Sequence, residues 1–305
     1  MGLCPDQVLR PGGTATLSAF RVLMTRYNLA LPGFRTRANI SNPAEHRRWL
    51  DRRLQLFLGF CLPSVVHQSM RPDVWLLGFD GDDREIVEPV LEAVKDRPWI
   101  VPAWQQRVGE SHEPMGDCFS REILARLTND HSHVILTRLD SDDSLARNFL
   151  LYTWQYSATV TARNPDIADF WVSFPFGTDY DERRCWVWMY PGNPFLSRVQ
   201  TRERFLKKQK FWIPHTKVLE PRYNLFQPIT TEPMWLRSFH GGQVGGRTLP
   251  RVGRIRMVPT REVLRNFGVK LKYLGELRPA SASWSEAARL VARRFAKRLR
   301  RSRRF

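Results

Sequence analysis

His133-Val-Ile-Leu-Thr-Arg-Leu-Asp140-Ser-Asp142-Asp143-Ser-Leu145 is the stretch on which the reading of this chain turns. Its start is a short apolar, β-branched run, which reads as a buried strand over His133–Thr137. The run breaks into Arg138-Leu-Asp140-Ser-Asp142-Asp143, and the apolar spacing beyond predicts a helix from Leu145 to Val160. Three carboxylates in four positions repel one another unless a cation sits among them. Aspartate oxygens are hard ligands suited to Mg2+ or Mn2+, and Mg2+ is commonly held by one or two carboxylates plus substrate phosphates. Asp140, Asp142 and Asp143 are therefore candidate metal ligands. The competing reading is a solvated acidic turn in which Asp143 or Ser144 caps the helix that follows.

Working outward, the same pattern recurs twice. Val74-Trp-Leu-Leu-Gly-Phe79 is a continuous apolar run that ends in Asp80-Gly-Asp82-Asp83, and Phe20–Thr25 is a strand that stops at Arg26-Tyr27-Asn28. Asn42-Pro-Ala-Glu45 opens a helix, with a capping Asn, Pro in the first turn and Glu three residues on; it is expected to end near Pro63. Helices are also predicted over Arg84–Lys95 and Cys118–Leu127, with a short strand at Trp99–Val101. Alternating strands and helices through about residue 160 imply βαβ units and a parallel sheet. Ligands of such sheets sit at the carboxyl ends of the strands. The clusters Arg26-Tyr27-Asn28, Asp80–Asp83 and Asp140–Asp143 are thus predicted to converge on one edge. No GxSxG, HExxH, GxGxxG after the first strand, or EF-hand loop is present.

Thr25-Arg-Tyr-Asn28, Trp49-Leu50, Leu62-Pro-Ser64, His67-Gln68, Trp75-Leu76, Phe79-Asp80 and Thr137–Leu145 resemble the putative rhamnosyl transferase family over about residues 20–245. Ser141 stands where that family usually has Asn. The resemblance implies an α/β fold: a GT-A-like nucleotide-sugar-binding sandwich with a mostly parallel central sheet, a divalent metal, and glycosyl transfer from a nucleotide-sugar donor to a glycan or glycolipid acceptor. It implies that Thr25, Arg26 and Asn28 line the nucleotide pocket and that Asp80 binds base or ribose, although helix capping is an equal reading of Asp80. Arg121, with Ser120, is expected at the same edge, and Asp140 is expected to touch the nucleotide-sugar as well as the metal. GT-A enzymes often add a late His to the metal, which here implies His240. Gly241-Gly242 and Gly245-Gly246 read as a loop able to close over a diphosphate, with Arg237 or Arg247 balancing its charge.

From Phe170 the pattern shifts to aromatic-rich strands carrying Trp171, Phe174, Phe176, Tyr180, Trp186, Trp188 and Tyr190. Such residues stack on sugar rings or simply fill a core. Asp179 and Asp181 are the carboxylates available on the acceptor side, where an inverting transfer needs a base for the attacking hydroxyl.

The 305 residues carry 48 Lys+Arg and 30 Asp+Glu, a net charge of +18. Of this, +15 falls between Arg247 and Phe305, where 18 basic residues face 3 acidic ones. The expected organisation is a loose leader over 1–18, the transferase domain over 19–250, and a basic extension over 251–305. Cys4, Cys61, Cys118 and Cys185 are scattered, as thiols of a reducing compartment are. With no apolar stretch at Met1–Asp6 and no run of roughly 18–20 apolar residues, the expectation is a cytoplasmic protein, peripheral on the inner face of the membrane. A nucleic-acid-binding protein acting through its tail is the rival class; unmetallated Asp clusters would repel phosphates, which argues against it for the body. A non-catalytic glycan-binding module is a third class, in which the Asp cluster has no role.

Ser283-Trp-Ser-Glu286 opens the last predicted helix. Trp284, Val291, Phe295 and Leu299 line one face over 284–301, and Arg293, Arg294, Lys297, Arg298, Arg300 and Arg301 crowd the other. Such a helix can lie in a membrane interface, each basic residue adding about 1 kcal/mol near anionic lipid; the competing readings are that the stripe packs on the protein's own body or that the Arg run is a disordered solubilising end. The full chain should co-float with anionic but not neutral vesicles, and a chain ending at Ala282 should not float. Equal flotation of both chains, or of neither, would remove the tether.

Overall fold

The computed structural model describes residues 16–31, 40–181, 184–207, 213–240, 256–258 and 260–270. Residues 1–15 of the leader, the glycine pairs, Arg247 and the terminal helix over 284–301 lie outside the described residues. Strand β1 (Ala19–Arg26) is followed by helix α1 (Pro43–Leu56), a π-helical segment (Phe57–Cys61) and helix α2 (Leu62–Val66). Strand β2 (Val74–Asp80) leads through α3 (Glu88–Val94) to β3 (Ile100–Gln105), the small hairpin β4 (Arg107–Val108) and β5 (Ser111–His112), and α4 (Met115–Leu124). Then come β6 (His133–Arg138), β7 (Ser144–Leu145), α5 (Phe149–Arg163), β8 (Asp169–Ser173), β9 (Phe176–Asp181), β10 (Arg184–Met189) and β11 (Leu196–Thr201). The rest is α6 (Arg202–Lys207), β12 (Leu225–Phe226), β13 (Trp235–Ser238), β14 (Arg256–Val258) and α7 (Thr260–Asn266).

The fold is mixed α/β, built around a large, mostly parallel sheet. That sheet has seven strands in the order β12-β8-β11-β6-β1-β2-β3. Only β11 runs against its neighbours. Strand β1 lies between β6 and β2, with Met24 opposite Arg138 and Arg26 opposite Gly78. The polar ends of β6, β1 and β2 are therefore neighbours along one edge. A second, five-stranded sheet has the order β14-β10-β9-β13-β7. It takes up Ser144 and Leu145; the helix expected to start at Leu145 begins instead at Phe149.

Two other elements depart from expectation. The first helix does not stop at Pro63. Proline cannot donate to the carbonyl four residues back and its ring crowds it, and the chain answers with the π-helical turn just before it. The carbonyl of Gly59, left without Pro63 as a donor, accepts from the Lys270 amide at 3.1 Å. The Phe60 carbonyl accepts from the Ser144 hydroxyl at 3.0 Å. The helix predicted over Arg84–Lys95 shortens to α3, because Pro89 disfavours helical geometry in the residue before it and fits only the first turn. At Asn42 the cap forms as expected, its side chain accepting from the Glu45 amide at 2.9 Å; the Glu45 carboxylate reaches back to the Ser41 amide at 2.7 Å.

Two hydrophobic layers sandwich the main sheet. One, including Leu23, Trp75, Leu77, Phe79 and Ile135, meets α1, α5 and the second sheet. The other, including Val22, Met24, Leu76 and Leu136, meets α4 through Phe119 and Ile123. Most of the aromatic-rich segment is core: Trp171, Phe174, Phe176, Tyr180 and Trp188 are buried, and Trp186 and Tyr190 are half-buried. Cys61, Cys118 and Cys185 are buried thiols. Among the described residues no helix is long and apolar enough to cross a membrane.

Trp235 is the wedge of the second sheet. It is fully buried, stacks on Phe195 at 5.1 Å, and donates to the Phe174 carbonyl at 2.8 Å. It lies over Gly177, where an added Cβ would sit 1.9 Å from the indole ring. Gly177→Ala should therefore destabilise the protein by about 3 kcal/mol through overpacking, seen as a lower denaturant midpoint. An unchanged midpoint would contradict this packing.

Candidate active site

Each carboxylate after β6 has its own partner. Leu139 is still bound to β1, its amide donating to the Met24 carbonyl at 3.0 Å. Asp140 then meets Arg26 from the end of β1, whose Nη2 donates to Oδ1 at 2.9 Å. Oδ2 of Asp142 lies 2.9 Å from Nε2 of His240, just past β13, and Oδ1 lies 4.0 Å from Nη2 of Arg53 on α1. Asp143 accepts from the Ser238 backbone amide at 2.8 Å. Burial alone would raise all three carboxyls. At Asp140 that rise is overcome by the Arg26 guanidinium, which holds the group below the usual carboxylate range. At Asp142 burial is likewise outweighed, by Arg53 and the bond with His240, and its pKa falls to about 2. At Asp143 burial wins, reinforced by Asp142 and Asp140, and its pKa is pushed well above the normal value.

The loop is stitched to the segment around Pro63. Ser64 Oγ accepts from the Leu145 amide at 3.2 Å, and Gln68 donates to the Ala146 carbonyl at 2.8 Å while accepting from the Leu150 amide at 3.1 Å. The Leu62-Pro-Ser64 and His67-Gln68 motifs thus contain two side chains, Ser64 and Gln68, that hold the acidic loop in place.

At the end of β2, Asn28 bridges two turns. Its Nδ2 donates to Asp83 at 2.8 Å and its Oδ1 accepts from the Asp80 amide at 3.2 Å. Asp80 does cap the turn after its strand, accepting from the Asp82 amide at 3.0 Å. It also faces His112, whose Nε2 lies 3.2 Å from Asp80 and 3.4 Å from Asp82. Asp80, Asp82 and His112 each offer a ligand atom, all within 4.8 Å of one another. His46 on α1 approaches Asp83 at 3.5 Å.

Three expectations change with these positions. Thr25 is fully buried and its hydroxyl accepts from the Trp75 indole at 2.9 Å, so it supports the strand end from below and lines no pocket. Arg121 is engaged elsewhere: it donates to both carboxylate oxygens of Glu113 at 3.0 Å and to the Trp104 carbonyl at 2.7 Å, pinning the β4–β5 hairpin to α4. Ser120 bonds within its own helix, to Gly116. Arg237, expected to balance a diphosphate, forms a two-pronged pair with Asp179 at 3.0 and 2.9 Å, among the rings of Phe239, Trp188 and Tyr190. Asp179 is 2% exposed in this pair, and Asp181 ends β9 half-buried.

Sequence reasoning did not identify Arg53, His46 or His112. The first two sit at helical spacing on the buried side of α1, at positions otherwise read as core; His112 lies in a two-residue strand too short for any periodicity. Arg138, also unremarked, is buried and donates to the Ile213 carbonyl at 3.1 Å; burial first, and Arg26 second, lower its pKa to about 10.

The end of β6 brings together Asp142 and His240, at 2.9 Å. Among the described residues the acidic loop and His240 do not form a group of three ligand atoms within 4.8 Å of one another, and the group that does is Asp80, Asp82 and His112. That triad of hard oxygens with one nitrogen is compatible with a divalent ion such as Mg2+ or Mn2+.

No curated protein matches the chain. Among solved structures, a putative nucleotide-diphospho-sugar transferase from Desulfovibrio desulfuricans G20 is 12% identical with a TM-score of 0.35, covering 70% of this chain and 81% of that one. A 4-diphosphocytidyl-2C-methyl-D-erythritol synthase from Anaerococcus prevotii DSM 20548 is 13% identical with a TM-score of 0.32, covering 76% and 92%. The inositol-1-phosphate CTP transferase of T. maritima is 10% identical with a TM-score of 0.33, covering 72% and 90%. The family described as "Putative rhamnosyl transferase" matches residues 22–252, a span that holds Arg26, Asn28, the Asp80 turn, the acidic loop and His240. The chain belongs to that family, and it is a glycosyltransferase.

Proposed function

We propose that the protein is a metal-dependent glycosyltransferase that moves a sugar, rhamnose being the one its family's description points to, from a nucleotide-sugar to a glycan or glycolipid acceptor. The observation that carries this is the meeting of Arg26, Asp140, Asp142 and His240 at the carboxyl edge of the main sheet, beside Asn28 and Asp80. Asp140, Asp142, Asp143 and His240 would hold the divalent ion. Once bound, a metal there neutralises charge that builds on a leaving diphosphate.

The other roles follow from position. Asp80, presented by Asn28 and by its own turn, faces the end of the edge where base and ribose would bind, and His112 shapes that end. Arg26 keeps Asp140 ionised and oriented. On the acceptor side, both carboxylate oxygens of the buried Asp179 accept from the Arg237 guanidinium. This favours Asp181 over Asp179 as the base for the attacking hydroxyl. Asp179 then fixes Arg237 against Trp188 and Tyr190, whose rings stack on each other at 4.6 Å.

Release of nucleoside diphosphate from a panel of nucleotide-sugars, with Mn2+, with Mg2+ and with chelator, tests the reading. Turnover should require the metal, and Asp142→Asn should lower it about a hundredfold, which corresponds to about 3 kcal/mol of lost transition-state stabilisation, while the circular dichroism spectrum stays unchanged. Retention of most activity by Asp142→Asn, with the same metal requirement, would remove the acidic loop from the active site.

A further inference from the structure

Helix α1 carries Arg47, Arg48, Arg52 and Arg53, and the first three face solvent. Arg53 turns inward, one helical turn beyond Trp49, and its side chain is 14% exposed. Its guanidinium carbon lies 4.7 Å from the centre of the Trp49 ring. Residues His46, Trp49 and Arg53, at i, i+3 and i+7, form a ladder along the site edge. His46 meets the Asp80–Asp83 turn at one end and Arg53 meets the acidic loop at the other.

Arg53 differs from the carboxylate-paired arginines in the state of its donors. Arg198, Arg237 and Arg121 each place two N–H groups on a carboxylate. Arg53 comes no closer than 4.0 Å to Asp142, well beyond the roughly 2.7–2.9 Å of a charge-assisted hydrogen bond. The carboxylate it faces is already bonded to His240 through its other oxygen. Its Nε is buried with no acceptor among the described residues. Burying guanidinium donors without acceptors is costly, and the cost persists here because the stacking on Trp49 and the packing of α1 hold the group away from Asp142. A planar cation fixed on an aromatic face, with donors directed at the site, is suited to phosphate oxygens, which accept in the same forked geometry as a carboxylate.

We propose that Arg53 is a donor-binding residue of this glycosyltransferase, taking the phosphate oxygens of the nucleotide-sugar on the α1 side of Asp142. The inference rests on the nucleotide-sugar reading above and adds to it a residue outside the acidic loop.

The test is equilibrium binding of uridine, guanosine, cytidine and thymidine diphosphates, each beside its parent nucleoside, in excess Mg2+, to the full chain and to Arg53→Ala and Arg53→Lys. Arg53→Ala should weaken the preferred diphosphate by about tenfold, the size of one charge-assisted hydrogen bond, and leave the nucleoside unchanged. Arg53→Lys, which keeps the charge and loses the fork, should recover part of that loss. Equal weakening of diphosphate and nucleoside would mean a structural role and overturn the proposal. So would unchanged diphosphate binding together with tighter Mg2+ binding, the signature of a mere counter-ion to Asp142. If Arg53→Ala does not fold, Arg53→Gln carries the same comparison. If the wild-type chain binds none of the diphosphates, the nucleotide-sugar reading itself fails and takes this proposal with it; binding by the wild type with no effect of the variants overturns Arg53 alone.

Discussion

Three aspartates within four residues at the end of one strand, Asp142 and Asp143 buried and Asp140 half-buried, set the main constraint on this fold. Two unit charges about 5 Å apart repel by about 3 kcal/mol at an effective dielectric constant of ~20. Such a loop persists only if each carboxylate is separately compensated. The molecule supplies three different compensations from two strands, one in each sheet: the guanidinium of Arg26 from β1, the imidazole of His240 just after β13, and the backbone amide of Ser238 within β13. Both sheets are therefore committed to the loop, and the strand order that places β1 beside β6 is what lets Arg26 reach Asp140. Asp143 remains the least compensated, as its raised pKa records.

The segment around Pro63 solves a second problem, that of holding an acidic loop still without adding charge. The π-helical turn leaves carbonyls unbonded, and the Phe60 carbonyl is taken by Ser144 of the loop itself. Ser64 and Gln68 then bond the loop and the first turn of α5 through neutral groups. A helix that ended cleanly at Pro63 would present none of these acceptors. The defect in the helix and the order of the loop are one feature.

Much of the fold was legible because its signals are local. The apolar runs at Phe20–Thr25, Val74–Phe79 and His133–Thr137, each followed by polar residues, gave the parallel strands and the shared edge, and Asn42 gave the start of α1. Asp140 and Asp142 stand out in the sequence because no core role suits two carboxylates so close. The rest depended on distance in sequence. Nothing local shows that Arg237 closes on Asp179 58 residues away, that Glu113 occupies Arg121, or that Trp75 takes the Thr25 hydroxyl. The short strand at Ser144–Leu145 exists only because β13 pairs with it, so helical spacing won the reading and lost to tertiary pairing. Arg53 was hidden by its neighbours, one arginine among four on a helix whose other three are solvated.

The claim that matters most is that the acidic loop and the nucleotide edge form one site, sharing a metal and a diphosphate. Electron paramagnetic resonance of Mn2+ titrated into the protein, with and without the nucleoside diphosphate it prefers, measures this directly, since bound Mn2+ loses the six-line signal of the free ion. The account predicts that Mn2+ binds, that the diphosphate tightens its binding, and that Asp140→Asn abolishes the coupling between the two. Mn2+ binding that ignores the diphosphate, or that survives Asp140→Asn with the coupling intact, would contradict it.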